Sequence, residues 1–172
     1  DAPADWESIP PDLVDAILTA GQCTGTDMQV PVSLCVHLHP KWVEACDDVQ
    51  FCRWGVETKL KESVLVRWVA LKHLEDFGAG EWTLTNNWLH FRNSNIPEDA
   101  VVLSCRRSMD EYADMSKLIE DISGKLTVLP DGLADAAARC KVFSSENVGG
   151  TDKLLVELTK GKMRVTGEGI RG

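Results

Sequence analysis

One order of elements recurs nearly three times along these 172 residues and limits the fold more than any other feature. A strand or chain entry leads into a helix, and the helix into strands, at a spacing of roughly 55 to 65 residues, where a repeat marks an architecture built from like pieces. Such a piece buries its apolar face only against another. The pattern predicts an α+β fold of repeats, each one helix and a strand meander, with two repeats to a domain.

The first round opens at Ile9-Pro10-Pro11-Asp12, a helix entry with Pro near the start and an acidic first turn. Leu13, Val14, Ile17 and Ala20 follow at helical spacing, and the helix ends near Gly21. Three strands follow at Val30–Leu38, Trp42–Ala45 and Val49–Val56. The second round has a strand at Val64-Leu65-Val66, then one helical face of Trp68, Val69, Leu71, Leu74 and Phe77 closed by Gly78 and Gly80. Glu81–Thr85, the turn Asn86-Asn87, Trp88–Arg92 and Ala100–Cys105 supply a hairpin and a neighbouring strand. The third round has a strand at Lys125–Leu129, a helix from Asp131 to Phe143, and strands at Leu154–Thr159 and Met163–Thr166. Residues 1–107 thus read as one complete domain, 108–123 as a charge-rich connector, and 124–172 as half of a second domain.

Composition fits a folded chain: 44% hydrophobic residues supply a core, and the 26% charged residues are dispersed. No apolar run approaches the roughly 18 residues of a membrane span. The start, Asp1-Ala2-Pro3-Ala4-Asp5, has neither basic nor apolar signal character and no initiating Met, which suggests a processed form or part of something larger. Six cysteines without a C-x-x-C pair read as reduced, buried and intracellular, which points to the cytoplasm. A net charge of −9 excludes simple coating of nucleic acid but leaves room for a local basic surface.

Several constellations read better as structure than as chemistry. Asp47-Asp48 and Asp110-Glu111 are adjacent carboxylates, which on a strand point to opposite faces and so read as turn and connector charges. His37 and His39 share one strand face and with a nearby Cys would supply part of a zinc site, the basis of a metal-hydrolase alternative. Cys140 lies in the third helix in no context that would activate it, and Gly167-Glu168-Gly169 reads as a bend or bulge. The tryptophans Trp6, Trp42, Trp54, Trp68, Trp82 and Trp88 read as core or interface packing rather than a base-stacking platform.

Four stretches, in order, resemble the bacterial-type DNA polymerase III beta sliding clamp in a divergent, phage-like form. Val43-Glu44-Ala45-Cys46-Asp47-Asp48 is similar to the family's "ATDG" strand end, and Val64–Leu74 to its "iPrkaLkel" strand and helix. Ser108-Met109-Asp110-Glu111-Tyr112 stands where the family has its "G-x-F-P-D-Y" connector. Leu126–Glu146 followed by Asp152–Thr166 resembles the opening of a further domain.

The resemblance implies the DNA-clamp fold and a ring that encircles double-stranded DNA, tethers a polymerase, and needs neither catalysis nor a cofactor. Helices would line the hole, making Arg67, Lys72 and His73 on the second helix and Arg139 and Lys141 on the third the DNA-facing candidates. The first helix, with Asp12 and Asp15, is not basic. Polymerase and clamp-loader peptides would dock in a groove that maps onto Cys46, Asp48, Val49, Gln50, Phe51, Asp110, Asp114 and Met115. There the sequence departs from the family: Gly-His-Arg is replaced by Asp48-Val49-Gln50, and the connector Pro by Asp110. Beside the hydrolase, the other alternative is a protein-interaction module that does not encircle DNA.

Overall fold

The computed structural model describes residues 5–93, 95–96, 101–120, 128–144 and 154–167, and the chain forms two compact units, Asp1–Met115 and Ser116–Gly172. In the first unit a short strand β1 (Glu7–Ser8) precedes helix α1 (Leu13–Gly21). Asp12 enters the helix with a left-handed backbone, φ 64°, a conformation that Asp tolerates better than most residues. Leu13, Ala16, Ile17 and Ala20 form the buried stripe of α1.

The meander β2 (Cys35–His39), β3 (Trp42–Cys46) and β4 (Phe51–Gly55) follows. Two expected strands are shorter than their sequence suggests. Pro31–Leu34 forms a 3-10 turn, since Pro31 has no N–H to offer a ladder. Val49 and Gln50 are taken by a turn in which both N–H groups donate to Asp47 Oδ1, at 2.8 and 2.7 Å.

The second repeat has β5 (Val64–Arg67), two single helical turns α2 (Trp68–Leu71) and α3 (Leu74–Phe77), and strands β6 (Glu81–Leu84), β7 (Trp88–Arg92) and β8 (Val102–Ser108). Where the sequence predicts one helix, the structure breaks it at Lys72-His73. Leu71 and Leu74 on either side of the break are both buried, whereas Val69 is exposed. Gly78 closes the segment at φ 65°, a conformation suited to glycine.

All strand pairs are antiparallel, in the order β1-β6-β7-β8-β5-β2-β3-β4. The first strand of each repeat pairs with the other repeat: β1 joins β6, and β5 joins β2. Each half of the sheet is therefore completed by its counterpart, and the halves join where β5 pairs with β8. Val36, Leu38, Val43, Val64, Val66, Leu89 and Phe91 join the helical residues in one core. The pleat sends alternate residues to the opposite, outer face.

The second unit begins with a short helix α4 (Ser116–Glu120), within the stretch expected to be a connector. The second unit also contains α5 (Leu133–Ser144) packed on the hairpin β9 (Leu154–Thr159) and β10 (Lys162–Gly167). The predicted strand at 125–129 lies mainly outside the described residues, and Val128 and Leu129 are exposed and not in a strand. Among the described residues, no helix is long and apolar enough to cross a membrane.

Candidate functional site

The outer face of β2-β3-β4 carries a cluster built by register. His37 lies opposite Glu44, and Glu44 opposite Arg53, so three strands deliver three polar side chains to one row. Glu44 is 2% exposed and is held by His37 Nδ1 at 2.8 Å and Arg53 Nε at 2.6 Å. Burial alone would raise the Glu44 carboxyl, but hydrogen bonds from His37 and Arg53 outweigh it and leave it below the ordinary range.

Around this row the aromatics form a stack. His39 lies on Trp42 with centroids 3.5 Å apart, and the Arg53 guanidinium sits 4.4 Å over Trp42 and 5.7 Å from Phe51. From the connector, Tyr112 stacks on His37 at 4.4 Å, and its hydroxyl donates to Cys46 Sγ at 3.5 Å. Burial, and then the Cys46 contact, push the Tyr112 phenol well above its ordinary value.

Of the expected groove residues, Cys46 and Phe51 face each other across β3 and β4, and Tyr112 brings the connector to Cys46. Val49 projects from the turn at 92% exposure, Asp48 is also exposed, and the Gln50 side chain donates to Gln22 O at 3.1 Å. Asp47 makes the turn, and backbone N–H groups hold its carboxyl below the ordinary range. Asp110 accepts a hydrogen bond from Ser108 Oγ, and its charge acts on Cys35. Asp114 is exposed and Met115 half-buried.

The sequence reading left Glu44, Arg53, Trp42 and Tyr112 out of the site. The alternation of Trp42, Glu44 and Cys46 with Val43 and Ala45 puts Trp42 and Glu44 on one face, but which residues lie opposite them depends on register.

One DNA-facing candidate moves. Arg67 closes β5 and caps the helical turn that follows, and pairing with Cys35 puts it on the outer face beside Cys35 and Asp110. Lys72 and His73 are exposed in the helix break, with Glu75 and Asp76 exposed beyond them. Arg139 and Lys141 are exposed on α5, flanking Cys140, whose thiol donates to Val165 O at 3.3 Å.

Both histidines of the expected zinc site are engaged through Nδ1. His37 Nδ1 is bound to Glu44, and His39 Nδ1 accepts from the Lys41 N–H at 3.2 Å. Among the described residues, no group of three His, Cys, Asp or Glu could hold a metal ion. The cysteines are free, but only Cys35 and Cys105 are buried, and Trp82 is the tryptophan in the core while Trp54 and Trp88 are exposed. The second half of the sheet has its own polar rows: Arg92 to Glu81 at 2.6 Å, and His90 between Ser104 at 2.8 Å and Thr85 at 3.2 Å.

No family profile and no curated protein matches the sequence. Solved structures do: 17 chains match. A protein assigned as a DNA polymerase III beta subunit from Eubacterium rectale superposes with TM-score 0.69 at 12% identity, covering 95% of this chain and 46% of that one. The beta subunit of Streptococcus pyogenes DNA polymerase gives 0.59 at 14% identity over 98% and 49%. The Bacillus subtilis DNA polymerase sliding clamp gives 0.62 at 14% identity over 95% and 48%. The fold is that of the sliding-clamp domain, and the chain spans about half the length of these structures.

Proposed function

We propose that this chain serves as a sliding-clamp processivity factor, encircling duplex DNA and tethering a polymerase without doing chemistry. The observation that carries the reading is the superposition on three beta subunits over nearly the whole chain. On this reading residues 124–172 are the first half of a second clamp domain. Lys72, His73, Arg139 and Lys141 are the cations for backbone contacts, which leave sequence unread and allow sliding. The surface formed by Cys46, Phe51 and Tyr112, with the 47–50 turn beside it, receives apolar anchors from polymerase or clamp-loader peptides. Such a factor acts in the cytoplasm.

The decisive property is topological. Protein loaded on nicked circular DNA should remain bound through a salt wash and be lost when the circle is cut. Light scattering should show a closed oligomer. Equal retention on linear and circular DNA, or a monomer under all conditions, would overturn encirclement. The net charge of −9 and the acidic pair Glu75 and Asp76 beside Lys72 favour a second reading, an interaction module that does not encircle DNA, which that outcome would leave standing.

A further inference from the structure

The segment after α1 and the edge strand β4 bring two cysteines near one another. The turn that follows α1 is fixed by hydrogen bonds from the Cys23 N–H to Ala20 O at 2.9 Å and from the Thr24 N–H to Gly21 O at 3.2 Å. The Trp68 ring closes over Gly21 so tightly that a Cβ there would lie 2.3 Å from it. The Gln50 amide then ties Gln22 to the β3–β4 turn at 3.1 Å. Cys52 is held in the ladder opposite Ala45, on the face that packs towards α1. The Cys23 and Cys52 thiols lie close enough to act on one another, with Asp47 and Cys46 close by.

The other cysteines are otherwise engaged. Cys46 accepts from Tyr112, Cys35 and Cys105 are buried against Pro31 O and Ala70 O, and Cys140 lies in the second unit. Cys23 and Cys52 are both half-buried, within reach of a small reagent.

We propose that Cys23 and Cys52 are a redox site that closes to a reversible disulfide, stapling the end of α1 to the edge strand at the base of the 47–50 turn. The oxidant is a low-molecular-weight disulfide. One cysteine thiolate attacks a sulfur of that disulfide, whose S–S bond breaks and releases one small thiolate. The second cysteine thiolate attacks the protein sulfur of the mixed disulfide and displaces the other small thiolate. Two protein thiols are oxidised, one small disulfide is reduced to two thiols, and the cysteine protons end on the departing sulfurs. Burial first, and then Cys52 and Asp47, raise the Cys23 thiol.

The test uses the full chain with glutathione disulfide, followed by alkylation and digestion without reductant. A linked peptide pair joining Cys23 to Cys52 is expected, with the other four of the six cysteines alkylated and the link removed by dithiothreitol. The linked form should unfold roughly 5–15 °C higher, because the bond constrains the unfolded chain. Cys52→Ser should abolish the pair and leave Cys23 alkylated or singly glutathionylated. Alkylation of both residues after oxidation, links spread over other cysteines, or an unchanged midpoint would overturn the proposal. Mapping the unsubstituted chain needs no variant to fold, and none of these readouts involves DNA, so this proposal and the clamp reading fail separately.

Discussion

Residues up to Met115 and residues from Ser116 onward share a local plan, a helix laid on antiparallel strands, yet they differ in what they bury. In the first unit two repeats complete each other by lending their first strands, and every fully buried apolar residue among those described lies between Leu13 and Cys105. In the second unit Leu155, Val156 and Leu158 stand exposed on β9, and α5 meets the hairpin mainly through its Cys140 side. A clamp-type repeat forms its secondary structure alone but obtains a core only from a counterpart, since one helix on two strands covers one side of a small sheet.

The largest test of that contrast is core truncation. Phe91→Ala empties a fully buried position in the first unit and should cost about 3–5 kcal/mol in chemical unfolding. Leu158→Ala, at 73% exposure in the second unit, should stay within about 0.5 kcal/mol of zero. A loss at Leu158 comparable to that at Phe91 would break the comparison.

A smaller effect separates the units by glycine. In Gly21→Ala the new methyl meets the Trp68 side chain, which can yield in part, so the first unit should lose about 1–3 kcal/mol. In Gly167→Ala the methyl would lie 2.4 Å from the Cys140 carbonyl oxygen, where backbone must move. Hydrogen exchange should then quicken in β9 and β10 while β2 to β8 stay protected. Loss of protection in both units would show that they unfold together.

The smallest effect is the response to acid, and it belongs to the first unit. Glu44 is held below 4.5, so its contribution is complete above that value and is lost as pH falls through the folded value. His39 and His90 are held below 6.5, chiefly by burial, so their contribution is complete above 6.5 and declines as pH falls towards their folded values. Unfolding midpoints measured from pH 7 to pH 3 should therefore fall in two stages, and Glu44→Gln should remove the lower one. A single stage unaffected by that substitution would show that the His37-Glu44-Arg53 row carries no net stability.

Much of the fold was legible because its signals are local. The stripe Leu13, Ala16, Ile17 and Ala20 needs only helical spacing, and the hairpin around Lys160 and Gly161 needs only two short runs and a turn. Where the reading slipped, a competing local demand won: Pro31 withheld an N–H, Asp47 captured two, and the segment of Leu71 and Leu74 broke at Lys72. Arg67 was placed on a helix because a strand end and a helix start share one run of residues.

The site was legible only in outline. The segments around Cys46 and Tyr112 were marked by resemblance, but their joining by the Tyr112 hydroxyl, 66 positions away in sequence, was not. Glu44 reads in sequence as an ordinary strand carboxylate.

By itself the sequence determined helices α1 and α5, most strands and the hairpin of β9 and β10, because helical and strand periods are written into neighbouring residues. Tertiary structure alone decided which repeat receives β1 and β5, which face Arg67 occupies, and that Glu44 is buried between His37 and Arg53. Those outcomes follow from strand register, and a shift of one residue would send every one of these side chains to the other side of the sheet.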